Sequence, residues 1–275
     1  MRVAVVGHVE WIEFIRVDRL PHQGEIVHAL ESWQEAAGGG AVAAVQLAKL
    51  NGSVEFFTAV GADELGRRAR EQLAGQGVTV HAATIETPQR RGVTYVDGDG
   101  ERTITVIGPK LVASGEDGTL PWEDLGRCDA VYFTGGDVAA VRAARRARVL
   151  VATSRELPAL VRAAEELDAL IGSGEDAGER YERADLEPTP RVVVTTAGAL
   201  GGWLRPGGPF RAVPPPGPIE DAYGCGDSFA AGVTFELARG RSIEDAVAFG
   251  ARCGAAVLTG RGPYTAQLTA EDVDD

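Results

Sequence analysis

Cysteine, histidine and long apolar runs are all scarce in this chain of 275 residues. The three cysteines, Cys128, Cys225 and Cys253, are odd in number and widely spaced, so they form no disulfide framework and indicate a reducing, cytoplasmic location. The four histidines lack metal-ligand spacing, which disfavours a zinc site. No apolar stretch approaches the roughly 18 residues of a membrane span, and no signal-peptide pattern is visible.

Positive charge is also in deficit, since 27 Lys and Arg residues face 40 Asp and Glu residues and give a formal net charge of −13. Such an acidic chain is a poor partner for nucleic acid or for an anionic membrane surface. The remaining composition is that of an ordinary globular protein. The length suits one large α/β domain or two small ones.

Short apolar runs alternate with helical stretches along much of the chain. Met1–Gly7 resembles a buried first strand that ends in a glycine turn, and the same kind of run recurs at Ala130–Thr134, Val149–Ala152, Ala169–Ile171 and Val192–Thr196. This alternation predicts βαβ units and a mostly parallel sheet covered by helices on both faces. Pro206–Pro218, rich in proline and glycine, is expected to be a surface loop.

Two segments depart from the alternation and predict a small second sheet. Between Glu10 and Trp33, two strand-like runs, Ile12–Val17 and Glu25–Leu30, are separated by a turn with proline and glycine. Further on, Gly92–Val96 and Arg102–Ile107 flank a tight-turn sequence and predict a hairpin. The two segments together are expected to stand off the main body.

The most informative stretch is the glycine turn Gly224-Cys225-Gly226, which precedes a helical pattern ending near Gly240. A turn of this kind directs several backbone N–H groups at one point, and the helix dipole adds partial positive charge there, so an anion binds well. Asp227 follows in the first helical turn. It is either an ordinary helix cap or a base that accepts the proton of a hydroxyl attacking a phosphate.

The sequence from Asp221 to Phe229 resembles the Asp-Thr-x-Gly-Ala-Gly-Asp-x-Phe signature of the ribokinase-like (PfkB) carbohydrate kinase family. Gly38-Gly39, which opens a helical pattern through Leu47–Leu50, resembles the first signature of that family. Thr196-Ala-Gly-Ala-Leu-Gly201 is similar to its nucleotide-bordering loop. The resemblance implies a single three-layer αβα domain over residues 1–275 with a mostly parallel central sheet. It also implies a β-sheet lid at about 10–34 and 88–109, ATP as phosphate donor and Mg²⁺ as its partner.

The resemblance also implies roles for individual positions. Asp227 would be the base, and the amides of Gly224, Cys225 and Gly226 would form the anion hole. The remaining assignments are nucleotide binding by Thr196, Gly198, Gly201 and Asp221, substrate binding by Glu10, Ile12, Gly38, Gly39, Val42 and Asp227, and outer-sphere support of Mg²⁺ by Glu175 and Asp176.

The chain departs from the family pattern at several of these positions. Ile12 stands where many members have a sugar-binding Asp, and Val42 stands where the usual Asn falls. Neither aliphatic side chain can hydrogen-bond a hydroxyl, so an acceptor with an apolar or planar portion is expected unless Glu10 or Glu13 turns inward. Ser173-Gly-Glu-Asp176 replaces the Asn-x-x-Glu motif that helps to organise Mg²⁺ in relatives.

The sequence therefore favours an ATP-dependent kinase that phosphorylates a hydroxyl of a small carbohydrate-like substrate. Two alternatives are a catalytically weak ligand-binding or regulatory protein with this fold and a nucleoside kinase. Arg90, Arg91 and Arg102 are the lid cations available to close over substrate. The apolar lid residues Trp11, Phe14 and Trp33 suit either a cover over the substrate or a homodimer contact through the lid.

Overall fold

Two β-sheets of unequal size organise the chain, and the computed structural model describes residues 1–273. The last two positions of the predicted 1–275 domain, Asp274 and Asp275, lie outside the described residues. The strands are β1 (Val3–Val6), β2 (Glu10–Arg16), β3 (Glu31–Ala37), β4 (Val54–Gly61), β5 (Val78–Ile85), β6 (Arg91–Val96), β7 (Arg102–Ile107), β8 (Ala130–Phe133), β9 (Val149–Thr153), β10 (Ala169–Ser173), β11 (Val192–Thr196), β12 (Gly202–Arg205) and β13 (Gly208–Phe210). The helices are α1 (Gly39–Asn51), α2 (Glu64–Gly75), α3 (Val138–Arg145), α4 (Leu157–Ala163), α5 (Cys225–Ala238) and α6 (Ile243–Val257).

The large sheet has the strand order β13-β12-β11-β10-β9-β8-β1-β4-β5. Its strands from β11 through to β5 are parallel, and only the β12–β13 ribbon at one edge runs antiparallel to its neighbours. The prediction of a mostly parallel sheet is confirmed. The predicted surface loop over Pro206–Pro218 lies at the surface but contains a short strand, because Gly208–Phe210 pairs with β12.

Side-chain alternation along the central strands explains the three layers. In β1, Val3 and Val5 join one hydrophobic cluster, whereas Ala4 and Val6 join the other. The first cluster includes buried residues of α1, α2, α5 and α6, and the second includes those of α3 and α4. Because successive strand residues point to opposite faces, strands that are apolar throughout require helices on both sides. The αβα arrangement follows from that pattern.

The small sheet, hereafter the lid, has the order β3-β2-β6-β7 and confirms the prediction of a second layer. The β6–β7 hairpin is confirmed, whereas the predicted strand over Glu25–Leu30 is wrong. The second strand lies instead at β3, which pairs with β2 from Arg16–Glu31 to Glu10–Ala37. Pairing up to Ala37 brings both strands to the Gly38 turn that opens α1.

The apolar lid residues lie differently from expectation. Trp11 and Phe14 are buried, and Phe14 stacks on the half-buried Trp33 at 5.0 Å between ring centroids. Exposed apolar side chains occur on the edge strand β7 instead, at Ile104, Val106 and Ile107. Within residues 1–273, no helix combines the length and apolar character needed to cross a membrane.

Candidate active site

The N-terminus of α5 is open to solvent at the predicted anion-binding turn. Gly224 precedes the helix in the left-handed region at φ 86°, where a β-carbon would also lie 2.9 Å from Cγ1 of Val42. Gly226, in the first turn, is exposed, and a β-carbon there would meet nothing within 4 Å. The first-turn N–H groups and the helix dipole therefore face space that a phosphate can enter.

Asp227 belongs to this first turn but does not cap the helix. Among residues 1–273, no hydrogen bond joins its carboxylate to a backbone N–H group. Burial raises the pKa of Asp227 to about 6, an effect that the nearby Arg102 opposes and Glu179 reinforces. A carboxylate without local partners, and with a pKa close to neutral, is suited to proton transfer.

The Gly38-Gly39 turn lies directly against this carboxylate. A β-carbon on Gly39 would lie 2.8 Å from Oδ1 of Asp227 and 3.2 Å from Oγ1 of Thr134. Gly38 has φ 90°, and its N–H donates to the hydroxyl of Tyr223 at 3.1 Å. The two glycine turns thus meet at Asp227, and only glycine permits so close an approach.

His8 and Glu10, which follow β1, line the other side of the turn. A β-carbon on Gly38 would lie 3.1 Å from Cγ of Glu10 and 3.2 Å from Cδ2 of His8. Both side chains are buried, with Nε2 of His8 3.5 Å from Oε1 of Glu10. Burial holds the pKa of His8 well below its usual value, with further lowering by Lys110 and Arg90, so the imidazole is neutral. Burial raises the pKa of Glu10, and the same two cations oppose that rise.

Arg90 and Lys110 supply positive charge beside His8 and Glu10. Nε of Arg90 lies 2.9 Å from Oε1 of Glu10. Nζ of Lys110 donates to the carbonyl of Thr134 at 3.1 Å and forms an ion pair with Glu156. The sequence did not identify Lys110 as a site residue. One available signal was its rarity, because Lys49 and Lys110 are the only lysines in the chain.

The three lid arginines have different positions. Arg90 enters the site, whereas Arg91 is exposed on the lid. Arg102 reaches across to the anion-binding turn, where it donates to the carbonyl of Ala222 and lies 5.8 Å from the ring centroid of Tyr223. Sequence spacing could not separate these roles.

The aliphatic replacements are core residues here. Ile12 is fully buried, and its Cδ1 lies 2.5 Å from where a β-carbon on Gly92 would be. Val42 is fully buried against Gly224. Since β2 side chains alternate, Glu10 and Ile12 share one face and Glu13 points to the other. Glu10 is therefore the carboxylate at the turn, and contact of an acceptor with Ile12 or Val42 stays a prediction.

The residues expected at the nucleotide lie at the end of β11 and before α5. Gly201 has to be glycine for two reasons. Its φ is 94°, and a β-carbon there would lie 2.1 Å from the carbonyl oxygen of Phe210. Thr196 ends β11, and Gly198 follows in an exposed turn. Asp221 is buried and accepts from the N–H groups of Tyr223 at 2.8 Å and Gly262 at 3.1 Å. Through these contacts Asp221 stabilises the turn that precedes α5, and its predicted role in nucleotide binding stays a prediction.

The predicted metal-supporting carboxylates point in different directions. Asp176 pairs with Arg155 at 2.5 Å, and Glu175 is exposed beside Gly198. Glu179, which the sequence did not identify, accepts from the N–H of Ser173 at 2.7 Å, and its charge raises the pKa of Asp227. In the described part of the chain, no three His, Cys, Asp or Glu residues are grouped so as to hold a metal ion.

Comparison with known proteins identifies relatives along almost the whole chain. Residues 1–270 match the pfkB family of carbohydrate kinases. An ATP-dependent ribose-1-phosphate kinase of Halopiger xanaduensis is 30% identical, and the alignment covers 99% of this chain and 97% of that protein. Ribokinase from Thermotoga maritima has a similar structure, with a TM-score of 0.78 and 20% sequence identity. The match covers 99% of this chain and 98% of that one. The structure of Arabidopsis thaliana ribokinase complexed with ribose and ATP is also similar, with a TM-score of 0.74 and 20% sequence identity. The match covers 99% of this chain and 97% of that one.

Proposed function

The chain belongs to the pfkB family of carbohydrate kinases, and on this premise we propose that it transfers the γ-phosphate of ATP to a hydroxyl of a small carbohydrate, with Asp227 as the base. Membership makes it a phosphotransferase with an alcohol group as acceptor. The observation that carries the proposal is the position of Asp227: its carboxylate lies against Gly39, at the open N-terminus of α5.

The proposed chemistry needs few protein groups. The acceptor hydroxyl gives its proton to Asp227 as its oxygen attacks the γ-phosphorus, and ADP leaves. The N–H groups of Gly224, Cys225 and Gly226 stabilise the negative charge on the transferring group, a task for which a helix N-terminus is suited. Phosphoryl transfer depends mainly on such positioning and electrostatics.

Magnesium fits this site only as an ion held largely by nucleotide phosphates and water. Mg²⁺ commonly takes one or two carboxylates and keeps several waters. Glu179 and Asp227, and more distantly Glu175 and Asp176, provide carboxylates without forming a closed cage. When bound with ATP, the ion would neutralise charge on the phosphates.

The acceptor is proposed to be a pentose or a pentose phosphate. Free ribose enters as a candidate because solved relatives include ribokinases, and ribose 1-phosphate because the Halopiger protein is a ribose-1-phosphate kinase. The polar side chains available to bind a hydroxyl at the Gly38 turn are Glu10 and His8. Nucleosides remain in the test panel as the alternative acceptor class.

The proposal is tested by phosphoryl transfer from ATP to ribose, ribose 1-phosphate and adenosine, with wild type compared with Asp227→Asn. The amide keeps the shape of the side chain but cannot accept the proton of the attacking hydroxyl. Turnover should fall by about 10³-fold or more, while ATP binding persists. A wild type that binds ATP yet transfers phosphate no faster than the variant would identify a ligand-binding protein instead.

Three further expectations belong with this function. The kinase is proposed to act as one unit in which the lid covers the site. In support, Arg102 of the lid donates to the carbonyl of Ala222, and Phe14 of the lid packs against the ring of Tyr223, both before α5. The exposed apolar side chains of β7 support pairing of two lids in a homodimer. The three free thiols support a reducing, cytoplasmic location.

A further inference from the structure

The face of the large sheet that packs on α3 and α4, hereafter the back face, carries a cavity that the kinase chemistry does not use. Its volume is about 80 Å³, and it lies between β10, β11 and residues 179–181. We propose that this cavity is a second ligand site, which binds a small monocarboxylate with an apolar tail and directs the carboxylate to Arg205 and Tyr181. The inference goes beyond the proposed function and does not depend on it.

The cavity and the base lie on opposite faces of the sheet. Leu170 of β10 and Val193 of β11 line the cavity, and both belong to the hydrophobic cluster that includes α3 and α4. The next residues along these strands, Ile171 and Val194, belong to the cluster that includes α5. Because strand side chains alternate between the two faces, the floor of the cavity faces away from Asp227. A ligand there is therefore separate from the nucleotide and from the acceptor.

One wall of the cavity is the segment after β10, and defined contacts hold it in place. Oγ of Ser154 donates to the carbonyl of Glu179 at 2.7 Å. A β-carbon on Gly172 would lie 2.0 Å from that Oγ and 3.0 Å from that carbonyl oxygen, so only glycine lets the segment pack here. The carboxylate of Glu179 accepts from the N–H of Ser173 at 2.7 Å and pairs with Arg155 at 2.7 Å. The wall is thus fixed, and its carboxylate is already neutralised.

Tyr181 brings an unused polar group to this cavity. Its side chain packs against the cluster on the back face, while its hydroxyl is buried and has no hydrogen-bond partner within residues 1–273. Burial and the charge of Asp185 raise the pKa of Tyr181, and Arg205 and Arg183 oppose that rise, so the hydroxyl keeps its proton at neutral pH. A buried hydroxyl without a partner is costly. An acceptor oxygen of a ligand would satisfy it.

Arg205 is the cation best placed to bind the carboxylate. It lies directly opposite Val193 in the β11–β12 pair, so its side chain leaves the sheet on the back face. Among the described residues its guanidinium has no ion pair and no side-chain hydrogen bond. A guanidinium has five N–H donors in a planar fork that matches a carboxylate bidentately. Arg180, which is exposed, lines the same cavity.

The shape of the cavity favours a carboxylate with an apolar tail over a phosphate. A phosphate has oxygens on all sides, and those directed at Leu170 and Val193 would be buried without donors, which is costly. A short hydrocarbon chain instead gains from contact with these two side chains. The charges of Arg183 and Asp185 have opposite effects on Tyr181, so a ligand with a single charge suits the site. Drug-sized ligands need pockets of roughly 300 Å³ or more, so the ligand is small.

Titration calorimetry with butyrate at millimolar concentration tests the inference, with butyramide as the uncharged analogue of the same shape. Wild type should bind butyrate about 10-fold or more tightly than butyramide. Arg205→Met should remove that preference, and Tyr181→Phe should weaken butyrate binding by about 3- to 10-fold. Arg211→Met, the matched control, removes the same charge from an exposed position outside the cavity and should leave both affinities unchanged.

Three results would overturn the inference. One is failure of wild type to prefer butyrate, whether because neither compound binds or because both bind equally. Another is an unchanged preference in Arg205→Met. The third is tighter binding of inorganic phosphate than of butyrate at the same residues, which would reassign the site to a different anion.

Gly226→Val separates this cavity from the α5 turn, where an anion is also expected. Butyrate binding should persist in that variant. Loss of binding in Gly226→Val together with its retention in Arg205→Met would locate the anion at the α5 turn and overturn the inference. Absence of phosphoryl transfer by wild type would defeat the proposed function but would leave these binding results to decide the inference alone.

Thermal unfolding without ligand checks the variants. Tyr181→Phe removes a hydroxyl that lacks a partner, so its Tm should equal or exceed that of wild type. A Tm lowered by several degrees would show that the hydroxyl already has a partner and would contradict its role here. If Arg205→Met fails to fold, Arg205→Lys replaces it and should lose part of the preference, because a lysine keeps the charge but lacks the planar fork. Full preference in Arg205→Lys would exclude the bidentate contact and overturn the assignment of Arg205.

Discussion

Gly39 lies so close to Asp227 that a β-carbon at position 39 would be 2.8 Å from Oδ1 of the carboxylate. That separation is shorter than real β-carbon contacts, so any larger residue must displace the carboxylate or the turn. The glycine therefore serves the proposed chemistry by permitting contact between the substrate turn and the base.

Replacing Gly39 with alanine should therefore reduce kcat more than it affects folding. Displacement of the base by a fraction of an ångström from its reactive geometry should lower kcat by about 10- to 100-fold. Steady-state kinetics on the best acceptor measures the effect. Gly75→Ala is the matched control, because a β-carbon there meets nothing within 4 Å, and it should keep wild-type kcat. Normal kcat in Gly39→Ala would show that the base tolerates displacement.

The pH dependence should report the ionisation of Asp227. Burial raises its pKa to about 6, and the ionised carboxylate is the form that accepts a proton. The value of kcat/KM should therefore increase with pH through about 6 and level off above 7, with a tenfold loss per unit on the acid side.

Two variants should shift the acid limb of this profile, the range in which kcat/KM increases with pH, in opposite directions. Arg102 lowers the pKa of Asp227, so Arg102→Gln should shift the limb to higher pH. Glu179 raises it, so Glu179→Gln should shift the limb to lower pH. A limb that stays fixed in both variants would assign the ionisation to another group.

Gly226→Val should separate phosphate binding from folding. In the structure a β-carbon at position 226 meets nothing within 4 Å, so the variant should fold with nearly unchanged Tm. The added side chain would occupy the space through which a phosphate approaches the N–H groups. We expect kcat/KM for ATP to fall by about 100-fold, as measured at saturating acceptor. Wild-type kinetics would exclude a phosphate at this turn.

Cys225→Ala should retain most activity. The Sγ of Cys225 donates to the carbonyl of Ala222 at 2.7 Å, and burial raises the pKa of the thiol, so the group is a poor nucleophile at neutral pH. The role of this residue in the proposal is carried by its backbone N–H, which alanine preserves. Kinetics within about threefold of wild type are expected, and complete loss of turnover would contradict this reading.

Local patterns in the sequence determined the fold class and the anion-binding turn. Alternating apolar runs require a two-faced sheet, as the clusters on either side of β1 show. The spacing of Gly224, Gly226 and Asp227 specifies a turn, a helix start and a carboxylate within a few residues. These features depend on neighbours along the chain, which a sequence displays directly.

Only the tertiary structure decided which distant side chains meet at the candidate active site. Arg90, Lys110 and Glu179 come from the lid, the segment after β7 and the turn after β10, and no local spacing relates them to Asp227. The same holds for the choice of Glu10 over Glu13, because strand register determines which face of β2 meets the Gly38 turn. Contacts between remote elements arise from sheet order and packing, so the substrate end of the site emerged only once the chain was folded.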